Sequence, residues 1–143
     1  MQRKSGTQSG RISIDSFSRC RSEIHGYGVR TEIRIPGRRK LGEVGGELVR
    51  LPQARKKAEK RALIFLVELD DNLALDCTHG SVFRYLNHSC KPNCYLRVYR
   101  NRVEVYSLGV INKGTELTID YGETPHKNGM ECRCGSKGCR GII

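Results

Sequence analysis

Three cysteines form a C-x-C-x4-C run at Cys132, Cys134 and Cys139. Thiolates spaced this closely bind metal or take part in redox chemistry, and three of them are one short of a tetrahedral four-cysteine site. The chain has seven cysteines, an odd number, and opens on Met1-Gln2-Arg3-Lys4-Ser5-Gly6 with no apolar stretch of the kind that directs export. Reduced thiols with a subset on metal are therefore expected in place of a disulfide framework. Cys20, Cys77 and Cys94, outside the run, are expected to be small buried hydrophobes. Two further stretches carry polar groups suited to ligands. In Asn87-His88-Ser89-Cys90, Asn87 offers both a donor and an acceptor, enough to read amino and carboxylate groups. In His25-Gly26-Tyr27-Gly28, the glycines let a backbone approach a ligand with no Cβ in the way, although such a pair also marks an ordinary turn. Tyr121, in Glu116-Leu117-Thr118-Ile119-Asp120-Tyr121-Gly122, would by itself read as a strand-end tyrosine of the core.

These residues are spread over a chain of 143 residues, one domain's worth. Alternation and turn residues predict many short strands. The first runs from Arg11 to Phe17, and another from Leu41 to Leu51 is interrupted at Gly45-Gly46. Hairpins are expected at Ile64–Leu69 with Leu73–Asp76 and at Tyr95–Tyr99 with Arg102–Leu108, and a last strand is expected at Leu117 and Ile119. Pro52 opens a basic helix through Ala62. The pattern predicts a mainly β fold with small α content. No apolar run is long enough to span a bilayer, so no membrane partner is expected. Lys and Arg total 26 against 15 Asp and Glu, a net charge of +11. Residues 1–60 hold 15 basic and 6 acidic side chains, a net of +9. That basic N-terminal half suits a polyanion such as DNA or a nucleosome, and equally a solvated surface.

Taken together and in order, Arg84-Tyr85-Leu86-Asn87-His88-Ser89-Cys90, Glu116-Leu117-Thr118-Ile119-Asp120-Tyr121-Gly122 and the C-terminal cysteine run resemble the SET-domain protein-lysine methyltransferases with a zinc-binding post-SET segment. His25-Gly26-Tyr27-Gly28 and Gly42-Glu43-Val44-Gly45-Gly46-Glu47 extend the resemblance, which covers Ser22 to Ile143; no cysteine-rich pre-SET region precedes it. The resemblance implies short curved β-sheets with a pseudoknot, divided as an N-terminal tail (1–16), a SET catalytic domain (17–124) and a post-SET segment (125–143).

It also implies transfer of a methyl group from S-adenosylmethionine (AdoMet) to a lysine amine of a basic protein, most naturally a histone tail, in a nucleus if the host is eukaryotic. In a host without histones, the cytoplasm or a foreign nucleus is implied. Tyr121 becomes the catalytic residue, and His25, Gly26, Tyr27, Gly28, Arg84, Asn87, His88 and Tyr121 become the cofactor's neighbours. Cys90 joins Cys132, Cys134 and Cys139 around zinc, and Arg140-Gly141-Ile142-Ile143 covers the adenine. Val44 and Ile119 fall where the family places aromatics in its lysine channel. Their aliphatic side chains imply room for an already methylated lysine, or else weakened turnover. A SET-like module without turnover, docking on chromatin through the basic half, is the alternative from another class.

Overall fold

Alternating burial along short segments builds three small sheets around one core. The computed structural model describes residues 10–59, 65–122 and 129–143. The strands are β1 (Phe17–Arg21), β2 (Tyr27–Thr31), β3 (Lys40–Glu43), β4 (Glu47–Arg50), β5 (Leu66–Glu68), β6 (Leu73–Asp76), β7 (Asn87–His88), β8 (Cys94–Tyr99), β9 (Arg102–Ser107) and β10 (Glu116–Ile119), with one α-helix, α1 (Leu51–Glu59). They assemble in the orders β1-β2-β10-β7, β3-β9-β8 and β4-β6-β5. The chain is mainly β, as its pattern predicts. Residues 1–9 of the expected tail, the expected helix end at Lys60-Arg61-Ala62, Ile64, and the expected boundary between 124 and 125 lie outside the described residues.

Phe17, Val29, Leu41, Val44, Phe83 and Leu117 come from all parts of the chain and pack into a common core. The Phe17 and Phe83 rings meet with centroids 5.0 Å apart. Cys77 and Cys94 have no exposed surface, as expected of small apolar side chains, whereas Cys20 is half-buried. Burial pushes the Cys77 and Cys94 thiols up to about 12, so they stay protonated and take no part in thiolate chemistry.

The first strand differs from its expected place. Ser13 accepts from the Asp15 N–H and caps a single 3-10 turn over Ile14–Ser16, so extended structure begins only at Phe17. The interruption at Gly45-Gly46 is confirmed and has a steric cause. A Cβ on Gly46 would stand 2.5 Å from the Asp76 carbonyl oxygen, and Gly45 has φ +71°. The β8–β9 hairpin turns through Arg100 and Asn101, both left-handed (φ 48° and 60°), which matches the two-residue turn that follows strand twist.

The piece that positions the site is β7. Its two residues pair in parallel with β10, Thr118 opposite Asn87 and Ile119 opposite His88. Asn93 fastens the same segment further along. Its Nδ2 donates to the Glu116 carbonyl and its Oδ1 accepts from Thr118 N–H, both at 2.8 Å. The Asn87–Asn93 stretch is thus locked to β10 at both ends, the interlock that the pseudoknot resemblance implies.

Candidate active site and metal centre

Pairing β7 with β10 brings Asn87, His88, Glu116 and Tyr121 into one neighbourhood and sets the His25–Gly28 turn over it. Asn87 Nδ2 faces three acceptors: the carbonyls of His25 (3.0 Å) and Tyr27 (2.9 Å) and Glu116 Oε1 (3.1 Å). An amide nitrogen has two hydrogens, so its donor capacity is saturated. Among the described residues nothing donates to Asn87 Oδ1. The free capacity of Asn87 is therefore for a ligand donor, such as an ammonium, and not for the carboxylate that the sequence also allowed.

Glu116 is the hub of the turn. Its Oε1 also accepts from Ser22 Oγ at 2.7 Å, and Ser22 Oγ in turn accepts from the Ile24 and His25 N–H groups. A Cβ on Gly28 would overlap the Glu116 carboxylate, so that glycine makes room for Glu116. Gly26, with φ +49°, has nothing within 4 Å of a Cβ position and borders open space. Gly28→Ala is accordingly expected to displace Glu116, to lower stability by about 1–3 kcal/mol as overpacking does, and to weaken ligand binding at the turn. Urea unfolding with ligand titration checks this, and unchanged values in both would show that Glu116 moves aside freely.

Tyr121 is half-buried. Its hydroxyl donates to the Leu86 carbonyl, and its ring lies 5.4 Å from His88 and 6.4 Å, edge-on, from Phe65. Burial, aided by the Glu116 charge, pushes the Tyr121 phenol up to about 12. It is a neutral hydroxyl at any working pH, with its proton held by Leu86 and its oxygen lone pairs available to accept. The Tyr121 N–H donates to His88 Nδ1 at 3.0 Å, so the neutral ring carries its proton on Nε2, 3.3 Å from Cys90 Sγ. Burial holds this imidazole below its ordinary range, against the pull of Asp120 and with Arg140 acting in the same sense as burial. His88 thus joins Tyr121 to the cysteine cluster.

Cys90, Cys132, Cys134 and Cys139 bring their sulfurs within 4.8 Å of one another, a group able to hold a metal ion. Cys90 and Cys132 are 3.7 Å apart, close to the ~3.75 Å edge of a tetrahedron with 2.3 Å metal–sulfur bonds. The outer shell also suits thiolates. The Arg140 N–H donates to Cys90 and the Gly141 N–H to Cys139, each at 3.4 Å. Cys90 is held low chiefly by that Arg140 N–H, and Cys134 chiefly by the Ser136 hydroxyl 3.0 Å away, while burial pushes Cys132 up. Four soft sulfur donors within reach of one ion, three of them beside N–H or hydroxyl groups that favour the thiolate, fit zinc.

Arg140 completes the arrangement. Its Nη2 pairs with Asp120 at 2.7 Å, tying the cysteine segment to the residue before Tyr121. The last residues close back on themselves, Met130 and Ile143 exchanging both backbone hydrogen bonds, and Ile143 is buried while Ile142 is exposed.

Arg84 donates to the Gly80 carbonyl and to Tyr85 Oη (2.7 Å) and lies over the Tyr85 ring. Val44 and Ile119 both sit in the core, with exposures of 0% and 2%, so neither forms open surface. Sequence reading did not single out Ser22, Phe65 or the Leu86 carbonyl. Ser22 and Phe65 carry no pattern that separates them from turn and core residues, and a backbone carbonyl leaves no signal at all.

Most of the chain is similar in sequence to known proteins. The model of the SET domain matches residues 26–122. Histone-lysine N-methyltransferase set-2 of Caenorhabditis elegans is 35% identical over 134 residues, 87% of this chain and 9% of the relative. The Histone-lysine N-methyltransferase, H3 lysine-4 specific, of Saccharomyces cerevisiae is 31% identical over 159 aligned positions, 96% of this chain and 15% of the relative. Histone-lysine N-methyltransferase trithorax of Drosophila virilis is 36% identical over 129 residues, 84% and 3% respectively. The chain belongs to the SET-domain family. It spans less than a sixth of the length of these relatives.

Proposed function

We propose that this chain is a protein-lysine methyltransferase that takes its methyl group from AdoMet and acts on a histone tail, in the nucleus. The observation that carries the reading is the joined set of Asn87, His88 and Tyr121 around the turn at His25–Gly28, with the cysteine cluster fastened to it by His88 on Cys90 and by Arg140 on Asp120. Relatives named as histone-lysine methyltransferases over most of this chain support it. They do not favour the alternative of a module without turnover.

AdoMet supplies a methyl group on a sulfonium: the carbon–sulfur bond breaks as a carbon–nitrogen bond forms to the lysine Nζ, leaving a neutral thioether. Asn87 Oδ1 and the open space beside Gly26 would hold its amino end. The lysine must arrive neutral, and at pH 7 deprotonating a free amine of pKa ~10.4 costs about 4–5 kcal/mol. A partly desolvated site next to a positive sulfur lowers that cost. Tyr121 Oη, with its own proton on Leu86, is an acceptor that orients the amine. Because the phenol stays protonated up to about 12, it does not remove the amine's proton, which leaves to solvent.

A histone tail is basic, and so is this chain. Glu47 and Asp76 line one hollow with Gly46 and His79, an acidic patch beside which a basic tail can lie. Asp76 already accepts from the Thr78 N–H and hydroxyl, while Asp70 caps its own turn at Asn72 and Leu73 and Glu104 pairs with Lys40. Val44 and Ile119 are buried and aliphatic, so neither brings a hydroxyl to the site, which favours more than one methyl per lysine.

Several relatives are named as specific for lysine 4 of histone H3, so the first peptide to test is the H3 amino-terminal tail. Methylation of that tail, lost when its lysine 4 is replaced by arginine, is the expected result. Equal methylation of both peptides would move the target to another lysine.

A further inference from the structure

The β3-β9-β8 sheet buries Val103 and Val105 on one face and presents tyrosines and arginines on the other. Tyr95 and Tyr99 point outward from β8, at 40% and 48% exposure. They are four residues apart on one face, ~13 Å along a strand. Tyr95 pairs in register with Tyr106 of β9, and their rings stack with centroids 5.5 Å apart at 20°. Beyond them, the guanidinium groups of Arg97 and Arg100 approach the same Tyr99 ring, at 5.5 and 5.3 Å.

The placement of these charges is not what the sheet alone would favour. Glu104 lies opposite Arg97 in register, yet its carboxylate pairs with Lys40 at 2.7 Å. Among the described residues Arg97 and Arg100 form no ion pair. Arg100 also occupies a left-handed turn position (φ 48°) that asparagine or glycine fills at less strain. Two unpaired cations therefore flank one exposed aromatic ring, on a chain of net charge +11.

We propose that this outer sheet face binds single-stranded nucleic acid, with Tyr99 as a stacking platform and Arg97 and Arg100 on the phosphates. Every base has a π-face, so exposed rings on a sheet face bind unpaired bases with little regard to sequence, and flanking cations follow the backbone. In a duplex the bases are already stacked on one another, and Tyr99 would have nothing to stack against. An acidic peptide would engage the arginines and leave the tyrosines idle. The proposal does not depend on methyl transfer, because none of these residues belongs to the site described above.

The test is fluorescence anisotropy of the whole chain, zinc loaded, with a labelled oligothymidine, the same length of duplex DNA, and polyglutamate, across a salt series. Single strands are expected to bind more tightly than duplex or polyglutamate. Tyr99→Ala should weaken that binding about five- to a hundred-and-fiftyfold, the range for losing one stacked base, while Tyr99→Phe, which keeps the ring face, retains it. The double variant Arg97→Ala, Arg100→Ala should reduce the salt slope by about 1.4, from ~0.7 per phosphate contact on a single strand. Thermal melting confirms that each variant is folded. Equal affinity for all three polyanions, or a Tyr99→Ala protein that binds like the parent, would overturn the proposal.

Discussion

Tyr121→Phe is expected to lower turnover about a hundredfold or more while AdoMet binding changes little. The change removes one oxygen from a half-buried ring whose other contacts, to His88 and Phe65, are made by ring atoms and stay in place. The hydroxyl has one structural partner, the Leu86 carbonyl. Leaving that acceptor unpaired costs about 1–3 kcal/mol of stability, a readout separate from catalysis. What is lost in the site is an acceptor for the lysine amine, and small errors in placing a reactant cost about a hundredfold in rate. The effect should therefore fall on kcat and leave the AdoMet affinity near that of the parent. A variant with parental kcat would remove Tyr121 from the reaction. Because the phenol is pushed to about 12, the parent's rate should also show no inflection from this tyrosine between pH 7 and about 10.

The second large effect is expected from Cys90→Ser. Cys90 comes from the segment that carries Asn87 and His88, and the other three sulfurs come from the C-terminal run, so this one residue joins the two. Metal binding to such sites is also folding energy, about 10–16 kcal/mol in isolated zinc-finger peptides. Losing a ligand should weaken zinc binding by more than the ten- to hundredfold that an outer-shell change brings. Residues 129–143 should then become the first site of proteolysis, and AdoMet binding should fall because His88 and Arg140 lose their anchor on Cys90. Ligand thiols must shed protons to bind metal, so zinc affinity should fall as pH falls. Zinc content measured after dialysis, with limited proteolysis, reads both effects. Full zinc occupancy in Cys90→Ser would take Cys90 out of the site.

What could be read from the residues depended on whether the determining contact was local. The β8–β9 hairpin was legible because Val103 and Val105 alternate with polar neighbours and the turn needs only Arg100-Asn101. The C-terminal cysteines were legible because ligand spacing is a property of sequence. β1 was displaced because Ser18-Arg19-Cys20-Arg21 carry no apolar alternation and become a strand by pairing with β2, a partner that no local pattern reveals. The parallel docking of Asn87–His88 on β10 joins residues some thirty positions apart, and only the family resemblance pointed to it. The resemblance could not show that Gly28 yields its space to Glu116, or that three acceptors use up the Asn87 donor.

The basic N-terminal half proved less uniform than its composition. Arg30 and Lys40 are paired with Glu32 and Glu104, and on the helix Arg55 pairs with Glu68, which leaves Lys56 and Lys57 as the helix's unpaired charges among the described residues. Lys60 lies outside the described residues. If the chain binds DNA, neutralising Arg55, Lys56, Lys57 and Lys60 should therefore lower the salt slope by less than four charges would.

The most direct measurement is intact-mass spectrometry of mixed core histones incubated with AdoMet and the zinc-loaded chain, with Tyr121→Phe run in parallel. Mass gains in methyl-sized steps on one histone, mapped to a lysine and missing with the variant, are the expected result, and the number of steps gives the product degree. No gain on any histone from a protein shown to hold both zinc and AdoMet would contradict histone methylation as the function of this site.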